Sequence, residues 1–301
     1  MEHRRAVVTG GSGFIGSHMV AMLCDAEYET HSIDIVPPSS ARHDSRATYH
    51  DVDVRSYDDV AKILHGATYV FHMAAKPRVQ YSIDNPVETF AINAMGTINV
   101  LRAAHTGGVK RVVHSSSGAV YGDISGILSE TMSANPMSPY ALQKHISERA
   151  CRLWSDIYNL STVSLRYLNV YGAHMDPFEG YALVLPVFLQ LRKERKPLTI
   201  AGDGTHTRDY VHVSDVVSAN MLAAESAQVG TGEVINIGTG KETSVNDIAV
   251  LIGGETIPMP PRIEPARACA DISLARKLLD WGPTIKLEDS IPVLKKEFGI
   301  L

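Results

Sequence analysis

Short runs rich in valine and isoleucine alternate with stretches of helical periodicity through the first half of the chain. AVVTG (6–10) reads as a strand, GFIGSHMVAMLCD (13–25) as a helix, THSIDI (30–35) as a strand, YDDVAKILHG (57–66) as a helix and TYVFHMA (68–74) as a strand. A long helix is predicted over 85–106, with Val87, Phe90, Ala91, Ala94, Ile98 and Leu101 on one face. Asn85 suits its N-cap, Pro86 its first position and Glu88 a returning capping bond, and Gly107 with Gly108 closes it. KRVVHSS (110–116) predicts a further strand. SPYALQKHISERACRLWSDIY (138–158) predicts a second long helix, capped by Ser138 and begun by Pro139, and STVSLRYLNVYG (161–172) another strand.

Repeated strand–helix units predict an α/β fold: a Rossmann-type doubly wound parallel sheet with helices on both faces. Past Tyr171 the alternation stops, and Pro258, Pro260, Pro261 and Pro265 crowd one segment. The expected division is a nucleotide-binding domain over 1–171 and a smaller substrate-binding region over 172–301. Residues 205–237 are expected partly to rejoin the first domain.

Composition removes several function classes. The 301 residues are 45% hydrophobic and 20% charged, with a formal net charge of −5 and no basic block, which argues against nucleic acid or an anionic membrane as main partner. Cys24, Cys151 and Cys269 are scattered, with neither metal-ligand nor disulfide spacing. No apolar run reaches the roughly 18 residues of a membrane span, and the basic N-terminus leads directly into a strand, unlike a signal peptide. A soluble, cytoplasmic, metal-free protein is expected.

Two groups of residues carry chemistry. Gly10, Gly13 and Gly16 lie between a predicted strand and helix, where glycine lets the backbone approach a pyrophosphate at a helix N-terminus. Asp34 ends the second strand, placed to accept both hydroxyls of an adenosine ribose and to repel a 2′-phosphate. With no arginine directly after it, NAD is favoured over NADP. Asp53, ending the third short strand, is a candidate for the adenine amino group. The second group is Tyr140 and Lys144, four apart on one helical face. A cation about 4 Å from a phenol, at an effective dielectric near 20, contributes roughly 4 kcal/mol. Lys144 together with an oxidised nicotinamide is therefore expected to bring Tyr140 from about 10 to about 7, where a general base works best. Ser117 would hydrogen-bond the same reacting hydroxyl.

The segments TGGSGFIG, HMAA, NAMGTINVL, SSSGAVYGD, SPYALQK, RYLNVYG, GDGTHTRDYVHVSD and NIGTG, in that order, resemble the extended short-chain dehydrogenase/reductase superfamily. Within it they are similar to the NAD-dependent nucleotide-sugar epimerases and dehydratases, over nearly the whole chain. The resemblance implies Ser117, Tyr140 and Lys144 as the catalytic set. It implies that NAD also meets Phe14, Ile15, Val54, Met73, Ala74, Ala75, Asn93, Ser115 and Tyr167. His72 lies in a segment that lines the same cleft, or packs at a strand end. For the sugar nucleotide the resemblance implies Asn169, Val184, Arg208, Glu264 and Ala268, with either Arg262 or Arg267 on the pyrophosphate. Arg208 would clamp the pyrophosphate, or else pair with Asp209 at the surface. It also implies a homodimer packed through helices 85–106 and 138–158.

Family dehydratases carry an acid pair just after the catalytic hydroxyl residue, and family decarboxylases a glutamate at the second of these positions. Gly118 and Ala119 stand there instead, and neither can transfer a proton. The expected reaction is 4-epimerisation of a UDP-hexose through a 4-keto sugar. The small Ala268 leaves room for an N-acetyl group at C2. Arg78 keeps a uronate open, unless it simply faces solvent.

Overall fold

The strand Arg5–Thr9 shows how the main sheet is buried: Val7 packs into the core on one face and Val8 into the core on the other. The pairs Val70/Phe71 and Val112/Val113 repeat this alternation, which is why these strands read as continuous apolar runs. The computed structural model describes residues 4–177, 183–261 and 266–300. Its main sheet has seven parallel strands in the order Thr231–Ile237, Ser161–Tyr167, Arg111–Ser117, Tyr69–His72, Arg5–Thr9, Glu29–Asp34, Thr48–Asp51. Helices Phe14–Asp25 and Val213–Glu225 cover one face; Tyr57–Leu64, Gly96–Thr106 and Pro139–Tyr158 cover the other. Strand order reverses between Arg5–Thr9 and Tyr69–His72, so a crevice opens there at the carboxyl ends of the strands.

The long helix Pro139–Tyr158 is set as its sequence predicts. Ser138 Oγ accepts from the Ala141 amide, Pro139 occupies the first turn, and Asn159 ends it in the left-handed conformation. The helix from Pro86 differs from expectation. It runs as Pro86–Phe90, a π-turn over Ala91–Met95, and Gly96–Thr106. Asn85 makes no side-chain cap, and Glu88 accepts from the Tyr81 hydroxyl instead. The apolar face read from periodicity is not wholly the buried one: Val87 is 83% and Phe90 38% exposed, while Ile92, Val100, Leu101 and Ala104 enter the core. Two apolar stripes share this helix, and spacing alone does not tell which meets the sheet.

The predicted strand 161–172 divides at Leu168. Ser161–Tyr167 stays in the main sheet, and Asn169–Tyr171 pairs with Tyr210–His212 in a separate two-stranded sheet. Of the segment expected to rejoin the main sheet, Thr231–Ile237 supplies the edge strand and Val213–Glu225 a covering helix, whereas Thr207–Arg208 belongs to a small sheet. That sheet runs Thr243–Ser244, Thr207–Arg208, Arg267–Ala270, Gly126–Leu128, taking its last strand from the first half of the chain. A separate core of Tyr171, Leu185, Phe188, Leu189, Ile248 and Ile291 supports the C-terminal region.

Candidate active site

A cleft of about 1180 Å³ lies at the strand ends, between the main sheet and the small one. Its first wall is the glycine turn. Gly10 has φ +76°, and a Cβ there would stand 2.7 Å from the Ala74 amide nitrogen. A Cβ on Gly16 would stand 2.0 Å from the Gly10 carbonyl, and one on Gly13 3.2 Å from it. Only glycine keeps this turn tight against the start of the helix Phe14–Asp25, whose first-turn amides have no carbonyl four residues earlier to bind. The Asp34 carboxylate also faces the cleft, accepting from the Ser12 and Val36 amides; burial pushes its pKa up while these amides pull it down. Ser12 Oγ is buried beside the turn without a hydrogen-bond partner. Free helix amides, an orphaned hydroxyl and a carboxylate at the strand end fit the phosphates and ribose of NAD.

Phe14, Ile15, Val54, Met73, Ala74 and Ala75 line this wall, as do Ser115 and Tyr167 farther in. Asp53 lines it too, from the loop beyond the strand Thr48–Asp51 rather than from the strand's end. Its carboxylate is bound by the Arg55 guanidinium, which holds it below the usual range. Asn93 is a correction: it is buried behind the wall. Its Oδ1 accepts from the Lys76 amide, and its Nδ2 donates to the Lys76 carbonyl and to Gln143. It therefore shapes the lining segment without facing the cleft. His72 is a packing residue, buried between Thr9 and Thr97 hydroxyls, and burial pushes its pKa down to about 3.

The floor is built by the three serines at the end of Arg111–Ser117. The Ser115 carbonyl accepts from Lys144 Nζ at 2.6 Å, and its hydroxyl bonds the Tyr167 hydroxyl. Ser116 Oγ donates to Glu148, which is buried with Arg166 in a two-point ion pair. Ser117 faces the cleft and accepts from the Ala119 amide, near the Tyr140 phenol. The lowering expected of Tyr140 takes Lys144 together with an oxidised nicotinamide; in the protein alone burial dominates. Burial raises the phenol's pKa and nearby Ser117 only partly opposes it, while burial lowers Lys144 to about 8. Tyr121 is structural, its hydroxyl donating to Asn236 in the core.

The opposite wall gathers Asn169, Arg208 and Ala268 from three strands. Asp209 is not a surface partner of Arg208: it is buried, and accepts from the Thr239, Gly240 and Ala270 amides. Val184 is displaced from its expected role. It packs toward the C-terminal core, and its neighbours Leu183 and Pro186 line the cleft. Arg267 is held by Glu242 on an exposed edge and does not line the cleft; Arg262 and Glu264 lie outside the described residues. Gly118 and Ala119 line the cleft beside Ser117, and a Cβ at position 118 would come 3.1 Å from Leu168 Cδ1. Arg78 lines it as well, although exposed.

Sequence reasoning missed several contributors. Ser82 accepts from the Tyr140 amide at 3.0 Å and fixes the first turn of the helix that carries Tyr140 and Lys144. Arg42 and Asp176 line the cleft from loops that carry no motif. The YALQK spacing continues to Glu148, one turn beyond Lys144, and that regularity could have flagged the buried acid. Among the described residues there is no cluster able to hold a metal, and no helix is long and apolar enough to cross a membrane.

The NAD dependent epimerase/dehydratase family matches residues 6–238. The chain is 38% identical over 297 residues to a putative UDP-glucose 4-epimerase of Methanocaldococcus jannaschii, covering 95% of each chain. It superposes on the Thermotoga maritima UDP-glucose 4-epimerase, crystallised with UDP-glucose, with a TM-score of 0.91 at 34% identity, covering 98% of each chain. The UDP-N-acetylglucosamine 4-epimerase of Methanobrevibacter ruminantium M1, in complex with UDP-N-acetylmuramic acid, gives a TM-score of 0.92 at 31% identity over 99% of each chain.

Proposed function

The chain belongs to the NAD-dependent epimerase/dehydratase family and is an NAD-dependent UDP-sugar 4-epimerase; we propose that it interconverts UDP-glucose and UDP-galactose, with Tyr140 as the base. The observation that carries the choice of reaction is the Ser117–Gly118–Ala119 corner. Proton transfer to a 6-hydroxyl would need an acid there, and neither Gly118 nor Ala119 carries one.

NAD, when bound, supplies a hydride acceptor and donor and a positive charge beside the phenol. Tyr140 takes the 4-hydroxyl proton onto its Oη and later returns it. Ser117, close to the phenol, hydrogen-bonds the same sugar oxygen and so aligns it with Tyr140. Lys144, held on the Ser115 carbonyl, keeps a cation behind Tyr140 and so favours the phenolate. Arg208 and Asn169 hold the nucleotide end while the 4-keto sugar turns its other face to the cofactor. The small Ala268 on the cleft wall leaves the C2 side open to an N-acetyl group.

A panel of UDP-glucose, UDP-N-acetylglucosamine and UDP-glucuronate, incubated with NAD and read by NMR, tests this. Interconversion of UDP-glucose and UDP-galactose without net NADH is expected; a 4-keto-6-deoxy product would overturn the reading. One observation favours a uronate as second reading: the Arg78 side chain is on the cleft wall, where it could meet a C6 carboxylate. We further propose a homodimer through helices 85–106 and 138–158, because Val87, Phe90, Leu142, Leu153 and Ile157 leave an apolar stripe exposed along them. Light scattering of the purified chain checks this.

A further inference from the structure

One tie crosses the cleft between residues far apart in sequence. Arg42, in the loop after the strand Glu29–Asp34, lines the cofactor side. Its Nη1 donates to the Ser12 carbonyl of the glycine turn at 3.4 Å, and its Nη2 to the His174 carbonyl at 2.6 Å. The segment 172–177 that receives the second bond carries Met175 and Asp176, which line the cleft, and Met175 packs into the C-terminal core with Leu185 and Phe188. Two other elements grip the same segment. His18, on the helix that starts at the glycine turn, donates through Nε2 to the Ala173 carbonyl at 2.8 Å and stacks its ring on His174 at 5.1 Å. Glu297, ending the helix Leu287–Glu297, accepts from the His174 amide at 2.8 Å. His174 itself has φ +66°, a left-handed backbone that a non-glycine residue keeps only where its surroundings over-determine it. Its amide and carbonyl are both bound, one by each wall's support.

We propose that Arg42 is a positioning residue that couples the two binding sites: its fork holds the substrate-side segment 172–177 against the dinucleotide turn, so each ligand binds more tightly when the other is present. The coupling rests on reading the cleft as the joint site of NAD and a UDP-sugar. Arginine suits the task because two of its nitrogens reach two carbonyls at once, where a lysine would hold one. Coupling of this kind is reciprocal: the factor by which NAD tightens UDP equals the factor by which UDP tightens NAD.

Calorimetry on the purified full chain, titrated with UDP with and without saturating NAD and with NAD with and without UDP, tests the coupling in wild type, Arg42→Ala, Arg42→Lys and Glu297→Ala. Arg42→Ala is expected to weaken UDP about 10-fold at saturating NAD and to bring the coupling factor close to one. The UDP-sugar KM should rise by a similar factor, with kcat within about 2-fold of wild type. Arg42→Lys should recover part of the loss. Glu297→Ala should weaken UDP in the same direction, and a double variant with Arg42→Ala should lose less than the sum, because both hold one segment. Arg42→Ala that weakens NAD but leaves UDP affinity and KM unchanged would make Arg42 a cofactor contact only. A lower melting temperature with both affinities intact would make it a structural brace. Either result overturns the coupling. Wild type that binds neither NAD nor UDP would instead sink the functional reading on which it rests.

Discussion

On the cofactor side of the cleft, recognition is made largely of backbone. Gly10, Gly13 and Gly16 bring main chain to the cleft surface, and the first helix turn presents amides that nothing else in the helix can bind. On the opposite wall, Asn169, Arg208, Leu183 and Ala268 arrive from four separate segments and line the cleft with side chains rather than with a glycine turn. The first wall needs glycine at fixed spacing within a single strand–turn–helix, so it tolerates little change. The second is assembled by tertiary packing, through Asp209 and the small sheet, so its residues can be exchanged without disturbing the turn.

This contrast can be broken at four points. The largest effect belongs to the group both walls share: Tyr140→Phe should lower kcat about 1000-fold while NAD still binds, measured by epimer ratio and by calorimetry. Full activity in that variant would remove Tyr140 as base. Next, Gly16→Ala drives a Cβ toward the Gly10 carbonyl and should weaken NAD 10- to 100-fold, the equivalent of about 1–3 kcal/mol of overpacking. Unchanged NAD affinity would mean the turn is less confined than its geometry states. Third, Ala268→Tyr should disfavour UDP-N-acetylglucosamine relative to UDP-glucose about 10-fold in kcat/KM and leave NAD affinity alone. Parallel loss of both sugars would show that the sugar wall is as rigid as the cofactor wall.

The smallest effect is one of pH. His72 and His114 are buried behind the cofactor wall with pKa values below the ordinary 6.5, His72 at about 3, both chiefly through burial. The unfolded chain therefore takes up these protons first as pH falls. Their contribution to stability is intact above pH 6.5 and declines below it, by at most about 1.4 kcal/mol per pH unit for each histidine. Melting temperature should drop between pH 7 and pH 5, and His72→Gln should flatten the slope; a flat wild-type profile would contradict the burial argument.

The same contrast explains what the sequence could tell. The main sheet was legible because strands buried on both faces are written as unbroken apolar runs, and the glycine turn because its requirement is local. Breaks at Leu168 and at the π-turn Ala91–Met95 were not legible, since they depend on pairing with Tyr210–His212 and on packing within the helix layer. Asn93 and Val184 have neighbours that face the cleft while they themselves face the interior, a difference of one residue that spacing does not resolve. The burial that Tyr140 and Lys144 share, which raises the one pKa and lowers the other, is not legible in their four-residue spacing. Arg42 sits in a loop with no periodicity, and only its contact with His174, 132 residues away, reveals it.

The exchange of strands between the two sheets bears on how the chain is made. A ribosome releases Gly126–Leu128 long before its partner Arg267–Ala270, and the main sheet waits until Ile237 for its last strand. Until then the edge of Ser161–Tyr167 is uncovered, a ready template for another nascent chain. Cutting the gene between the two regions would leave each product with an unfinished sheet, so two co-expressed halves should aggregate unless they meet during synthesis.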